Sequence, residues 1–216
     1  MGVPEGLGRS IVTARSQVGQ LQVRPLELAS TPEYDALRGL LDEALGTGYV
    51  SPAKLEAHRR RSEGRFAWLA CDDDRVVGAL LSRVLAEAEV QSFQALLADQ
   101  GVELPVLVTG LLDIGVVAPT MRRRGVVQRL VAVSLTELGR LGCRQVLTVA
   151  WDSGSPDSAH GPARRAGFRV AGTLHDYWYG RSLAEGFACP NCGHPCRCSA
   201  TLFVRSMTIE PGETAR

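Results

Sequence analysis

Net charge is almost absent from this chain. Twenty-four lysines and arginines face 23 aspartates and glutamates, a formal +1 at pH 7. No global field therefore draws in nucleic acid or an anionic membrane, and basic character can act only locally. Long apolar runs are also missing. None approaches the roughly 18–20 residues that a bilayer-spanning helix needs. The opening MGVPEGLGRSIVTARSQVGQ has no apolar core of the kind a secretory signal carries. Aromatics make up only 6% of the chain, and no basic stretch is interleaved with them, which counts against nucleic acid as a partner. These absences lead us to expect a cytoplasmic protein with no membrane attachment.

What is present fits a globular domain. The 216 residues are 45% hydrophobic, enough to bury the core of one large domain or of one domain with a small insertion. Residues 1–18 are unpatterned and are expected to form a disordered tail. Residues 19–208 are expected to form the domain and 209–216 a C-terminal tail.

The first strand is read over Leu21 to Leu28. Ser30-Thr31-Pro32-Glu33 starts a helix, with Thr31 able to cap, that runs to about Leu45 and stops at Gly46-Thr47-Gly48. Ser51-Pro52 repeats the start signal for a short helix over Leu55 to Arg61. Its run His58-Arg59-Arg60-Arg61 reads as a solvated face. Phe66 to Cys71 and Val76 to Leu85 form a hairpin about Asp72-Asp73-Asp74. Ala86 to Asp99 is helix-like, Leu111 to Val117 a strand and Arg122 to Leu141 a helix. Gln145 to Trp151 follows as a buried-type strand and Asp157 to Ala166 as a short helix. Phe168 to Tyr179 and Thr201 to Met207 are the last strands. Strands alternating with helices around a hairpin imply an α/β (α+β) fold with a mixed sheet covered by helices.

The most informative stretch is LLDIGVVAPTMRRRGVVQRL, from Leu111 to Leu130. An apolar strand feeds three arginines and a glycine at a helix start. Such a helix start holds a phosphate: the first-turn N–H groups point at the anion, the macrodipole adds about half a positive charge, and glycine lets the backbone come close. Val127, Leu130, Val131, Leu135 and Leu138 form an apolar face that anchors the helix on a core.

This segment resembles the acetyl-coenzyme A loop of the GNAT N-acetyltransferases, a strand ending in Val-x-Pro followed by Arg/Gln-x-x-Gly-x-Gly/Ala. Here it reads Val117-Ala118-Pro119 and then Arg122-Arg123-Arg124-Gly125-Val126-Val127. Val127 departs from the pattern. Ala166-Gly167-Phe168 matches the family's Gly-Phe close, and the order of elements from Leu21 to Met207 is similar. The resemblance implies a mostly antiparallel, splayed sheet and direct transfer of an acetyl group from acetyl-coenzyme A to a primary amine of a small molecule or peptide. It implies that the backbone of Val116 and Val117 pairs with the pantetheine arm. The amides of Arg124, Gly125, Val126, Val127 and Gln128 would hold the pyrophosphate, and Arg122, Arg123 and Arg124 the outer phosphates. The family's usual tyrosine acid falls on Ala163, so it is absent. A homodimer stays open, and a non-catalytic binding module is the rival reading.

An amine must lose a proton before it attacks, and a carboxylate is the usual base. Asp113 lies on the cofactor strand four residues before Val117, and so on the same face. It is the first candidate base; a purely structural backbone or arginine contact is the other reading. His160, or Tyr177 and Tyr179 sharing one face of the following strand, could protonate the departing thiolate, as could water.

Cys189-Pro-Asn-Cys192-Gly-His-Pro-Cys196-Arg-Cys198 gathers four of the six cysteines. Two thiolates bracketing a tight turn form a zinc-knuckle pattern, and four soft ligands suit a closed, structural zinc site. Cys196-x-Cys198 is a cramped chelate, so His194 could replace one of that pair. Disulfides are the alternative, disfavoured in a cytosol. The knuckle, residues 188–199, reads as an insertion between the last two strands, with Trp178, Tyr179 and Arg181 lining what it borders. The segment Glu87 to Leu104 is a second insertion beside the acceptor side. Cys71 and Cys143 read as packing residues.

Overall fold

The computed structural model describes residues 21–26, 31–155 and 158–207. The two expected tails, the end of the first strand at Leu28, the Thr31 cap and Asp157 fall outside the described residues or side chains. Seven strands are formed: β1 (Leu21–Pro25), β2 (Arg65–Asp72), β3 (Arg75–Val84), β4 (Thr109–Val117), β5 (Gln145–Trp151), β6 (Arg169–Leu174) and β7 (Ala200–Ser206). The helices are α1 (Thr31–Leu45), α2 (Pro52–Arg59), α3 (Glu87–Leu96), α4 (Val126–Arg140), α5 (His160–Arg165) and α6 (Tyr179–Glu185). Among the described residues no helix is long and apolar enough to cross a membrane.

The strands make one mixed sheet in the order β1-β2-β3-β4-β5-β7-β6. Every neighbouring pair is antiparallel except β4 with β5. Alternation along the strands splits the core in two. Leu112, Val146, Ala150 and Phe203 face α4 and α5, packing on Leu130, Leu138 and Ala163. On the other face Leu81, Ile114 and Val116 meet Leu37, Leu41 and Leu55 of α1 and α2. Beside them Leu111, Leu147 and Leu202 meet Val90, Phe93 and Leu97 of α3.

Three elements differ from the sequence reading. The helix expected from Arg122 begins only at Val126, because Arg123 and Gly125 adopt left-handed backbone, with φ of 62° and 80°, that a helix cannot contain. The strand expected to reach Tyr179 ends at Leu174. Asp176 (φ 49°) turns the chain, the Tyr179 amide donates to the Asp176 carbonyl at 2.8 Å, and α6 starts there. Tyr177 and Tyr179 therefore share no strand face. Finally, β6 is an edge strand whose exposed groups are met by the first insertion. Gln100 Oε1 accepts the Thr173 N–H at 2.9 Å, and Gln100 Nε2 donates to the Thr173 carbonyl at 2.7 Å. A side-chain amide here takes the place of a further strand.

Candidate active site

The parallel pairing of β4 with β5 lasts only from Thr109–Gln145 to Leu112–Thr148. Past that point β5 continues to Trp151 against β7, and β4 continues to Val117 against β3. The sheet thus opens into a V, and among the described residues the β5-side edge of β4 beyond Leu112 has no strand partner. Edge amides and carbonyls left this way can take an extended ligand as a partial strand.

The open edge leads into the α4 start. Pro119–Met121 makes a single tight helical turn, Arg122 is extended, and Gly125 caps α4 in a left-handed conformation with no side-chain cap. The Arg129 amide is the first to close back, on the Gly125 carbonyl at 3.2 Å, so the Val126, Val127 and Gln128 amides precede the helical ladder. Gly78 on β3 sets how close this end sits. A Cβ there would lie 3.1 Å from the Val116 carbonyl oxygen and 3.2 Å from Val126 Cγ1. Arg122, Arg123, Arg124 and Gln128 are exposed, Val116 and Val126 buried, and Val117 and Val127 half-buried. Arg122 Nε leans back to the Val117 carbonyl at 3.4 Å.

Asp113 is not on the face of Val117. The β3–β4 register shifts between Leu81 and Ser82, which pair with Ile114 and Leu112, so Asp113 is the extra residue of a bulge. Val117 packs toward α4, whereas Asp113 turns to the α2 side. There Lys54, the only lysine of the chain, places Nζ 3.0 Å from Asp113 Oδ2, and Arg83 Nε lies 3.6 Å away. Burial works to raise the Asp113 pKa, but Lys54 and then Arg83 outweigh it and hold the carboxyl below the usual range. It is ionised wherever the protein is folded near neutrality.

His58, read from sequence as part of a solvated run, is fully buried beneath this ion pair. Its Nδ1 meets the Lys54 carbonyl at 2.8 Å, and its Nε2 is buried without a hydrogen-bond partner. Burial pushes its pKa below the ordinary value. The folded state therefore binds this proton less readily than the unfolded chain, and stability falls as pH drops below about 6.5. Chemical denaturation at pH 7.5 and 5.5 should show that loss, and His58→Asn should remove much of it.

No protein-family model and no curated protein matches the sequence. Solved structures do match the fold. The NatC complex bound to Gag peptide and CoA superposes with a TM-score of 0.59 at 14% identity, over 87% of this chain and 99% of that one. Arabidopsis thaliana NAA60 in complex with acetyl-CoA gives 0.59 at 15%, over 87% and 98%. A GNAT family acetyltransferase from Elizabethkingia anophelis with acetyl-CoA bound gives 0.56 at 12%, over 87% and 98%.

The chain has the GNAT fold.

Within that fold the expected catalytic residues separate into two groups. Tyr177 lies on the Asp113 side. It stacks on Phe93 (6.4 Å between centroids) and meets Trp178 edge-on. Burial pushes its pKa well up, so it stays protonated. Tyr179 opens α6 instead, under the Arg197 guanidinium. Sequence reasoning missed Tyr49, which joins this group. Its hydroxyl accepts from Trp178 Nε1 at 2.9 Å. Arg181 stacks over its ring at 4.4 Å and donates to its carbonyl at 2.6 Å. Lys54 and Arg83 were missed for the same reason: a cation on a helix or strand carries no signal until its partner is placed.

His160 opens α5 on the other face, at the end of β5. Nε2 lies 2.8 Å from Asp152 Oδ1 and 3.1 Å from Thr201 Oγ1, and Nδ1 lies 3.0 Å from Ser158 Oγ. A surface hollow about Arg165, Gly167, Arg169 and Arg205 sits beside the start of β5, away from the V, and has no part in this arrangement.

The four cysteines converge between β6 and β7. The sulfurs of Cys189, Cys192, Cys196 and Cys198 all lie within 4.8 Å of one another. Individual separations are 3.9 Å (Cys189–Cys198), 3.7 Å (Cys192–Cys196) and 3.4 Å (Cys192–Cys198). None is a disulfide. Four sulfurs at about 2.3 Å from a tetrahedral zinc stand ~3.8 Å apart, so the donor set fits that ion. His194 turns away, with Nδ1 3.2 Å from the Phe187 carbonyl. The loop is docked on the cluster of Tyr49, Trp178 and Arg181. The Cys196 amide donates to buried Ser182 Oγ at 2.8 Å, Phe187 meets Tyr49 edge-on at 5.1 Å, and a Cβ on Gly46 would run into the Ala188 carbonyl.

Proposed function

We propose that the protein moves an acetyl group from acetyl-coenzyme A to a primary amine of a small molecule or a peptide, by direct attack. The observation that carries this reading is the continuity of the open β4 edge with the uncapped α4 start. One surface can grip an extended arm and, a few residues on, a diphosphate. Val116 and Val117 would take the pantetheine, the amides of Gly125 to Gln128 the pyrophosphate, and Arg122, Arg123 and Arg124 the outer phosphates. Structures of this fold with acetyl-CoA bound, and one with a peptide, support the class of donor and acceptor.

The gain in rate comes chiefly from holding amine and thioester together. Asp113 is the acceptor-side carboxylate. Held ionised by Lys54 and Arg83, it draws the acceptor ammonium into the V and takes its proton, directly or through a water. Tyr177 lines that side and orients the amine. On the opposite wall of the V, the imidazolium form of His160, with a second proton on Nδ1, would return that proton to the departing thiolate through the Ser158 hydroxyl, in place of the family tyrosine whose position Ala163 occupies. Cys189, Cys192, Cys196 and Cys198 would hold a zinc ion, which fixes the loop under Tyr49 and has no chemical step.

A panel of small amines and short peptides, assayed for release of free coenzyme A, tests the reading. Binding of acetyl-coenzyme A without thiol release from any acceptor would favour the non-catalytic module. The pH dependence follows from the low Asp113 pKa. No acid-side loss from this group is expected above about pH 4. The rate should instead rise with pH through the acceptor's own amine pKa. Asp113→Asn should lower kcat/KM at least ~10-fold without moving that rise. A rise that moves with the variant would remove Asp113 from the ionised-carboxylate role.

A further inference from the structure

The network around His160 does more than hold a ring. Asp152 Oδ1 receives two donors: the Thr201 hydroxyl at 2.9 Å and the His160 Nε2 at 2.8 Å. Thr201 has one proton and spends it on Asp152, so its own contact with Nε2, at 3.1 Å, is as an acceptor. Both contacts place the imidazole proton on Nε2. In the neutral ring Nδ1 then carries a lone pair, and the atom facing it is Ser158 Oγ at 3.0 Å. The ring is kept in this plane by Phe203, edge-on at 5.5 Å. Asp152 is itself fixed, its amide donating to the Ser199 carbonyl at 3.1 Å. A hydroxyl within reach of a base, with the base oriented by a carboxylate, is the arrangement of an activated nucleophile; it is recognised by geometry and not by residue order.

We propose that Ser158 is an acyl-accepting nucleophile, with His160 as its base and Asp152 as the group that orients His160. The site gives the protein a second activity, slow hydrolysis of activated esters and acyl thioesters, beyond acetyl transfer to an amine. Ser158 Oγ attacks the acyl carbon while its proton passes to His160 Nδ1. The bond from that carbon to the leaving oxygen or sulfur breaks, and His160 gives the proton to the leaving atom. Water then attacks the acyl-serine, His160 takes its proton, the free acid departs, and Ser158 Oγ regains a proton. Ser158, His160 and Asp152 are each half-buried, so a small ester can reach them. They stand at the end of β5, past the point where its pairing with β4 has stopped.

The test uses the full chain with a fluorophosphonate probe and with p-nitrophenyl acetate. Oγ attack on phosphorus expels fluoride and leaves a stable adduct that peptide mass spectrometry locates. Labelling is expected at Ser158 and should vanish in Ser158→Ala. In His160→Gln the labelling rate and the ester turnover should fall at least ~100-fold. Thr201→Val leaves serine and histidine in place but loosens Asp152, and should slow both. Melting temperatures of the variants check that each is folded. An adduct on another residue, no adduct, or equal labelling rates in wild type and His160→Gln overturns the proposal. Neither probe needs coenzyme A, so this outcome is separate from that of the amine panel.

Discussion

Gly125→Val is expected to abolish the stabilisation that acetyl-coenzyme A should give this protein. The expectation follows from backbone conformation alone. Gly125 has φ of 80°, and a Cβ there would meet nothing within 4 Å. No side chain clashes, so the whole effect lies in the left-handed residue. That conformation costs an ordinary L-residue about 1–2 kcal/mol, and a β-branched residue rarely adopts it at all. The chain would leave it, and the amides of Val126 to Gln128 would no longer point into one hollow. Ligand at 100 times its Kd adds about 2.7 kcal/mol to stability, a rise of roughly 5–10 °C for a chain of this size. The wild type should show that rise and the variant less than about 2 °C. Gly142→Val is the control. Gly142 also has φ of 80° with open space around it, but it follows the far end of α4. Its variant should melt lower yet keep the rise with acetyl-coenzyme A.

Removing zinc is expected to have the second large effect, on stability and on the acceptor but not on the coenzyme. The knuckle, residues 188–199, owns little core: Cys189 and Cys196 are its buried side chains, with Phe187 just ahead of it. A zinc ion held by the four cysteines would supply the rest. Its loss would free Phe187 from the Tyr49 ring and the Cys196 amide from Ser182. Tyr49 and Trp178, which hold each other by one hydrogen bond, would then lose their backing. A strong chelator, or Cys196→Ser, should lower the melting temperature by about 10 °C and release one equivalent of zinc, measured by a colorimetric dye. KM for the acceptor should rise while the thermal shift with acetyl-coenzyme A survives. A metal-free protein with unchanged melting temperature would show that the four cysteines have another purpose.

Much of the fold is legible in the sequence because its signals are local. Gly46-Thr47-Gly48 and Ser51-Pro52 mark the end of α1 and the start of α2, and Ser51 does cap, accepting the Lys54 amide. QVLTVAW is β5 residue for residue. The cysteine spacing puts four sulfurs together because the loop is short. What was not legible depends on contacts between distant residues or on a break in regularity. Alternation places Asp113 with Val117 only if β4 is regular, and the bulge opposite Leu81 and Ser82 reverses its face. The apolar look of Tyr177 and Tyr179 extends the β6 pattern, but Asp176 turns the chain before they are reached. His58 sits in a run of arginines, so its burial under Lys54 has no local sign. Asp152 and Ser158 gave no signal because they join only through His160, and Thr201 comes from a strand far along the chain.

The most direct test of the account is a crystal grown or soaked with acetyl-coenzyme A. Diphosphate density is expected against the amides of Val126, Val127 and Gln128. The pantetheine arm should run along the β5-side edge of β4 past Asp113, and the acetyl group should lie at the mouth of the V. Coenzyme density anywhere else on the molecule, or an empty groove at a coenzyme concentration that saturates the thermal shift, would contradict it.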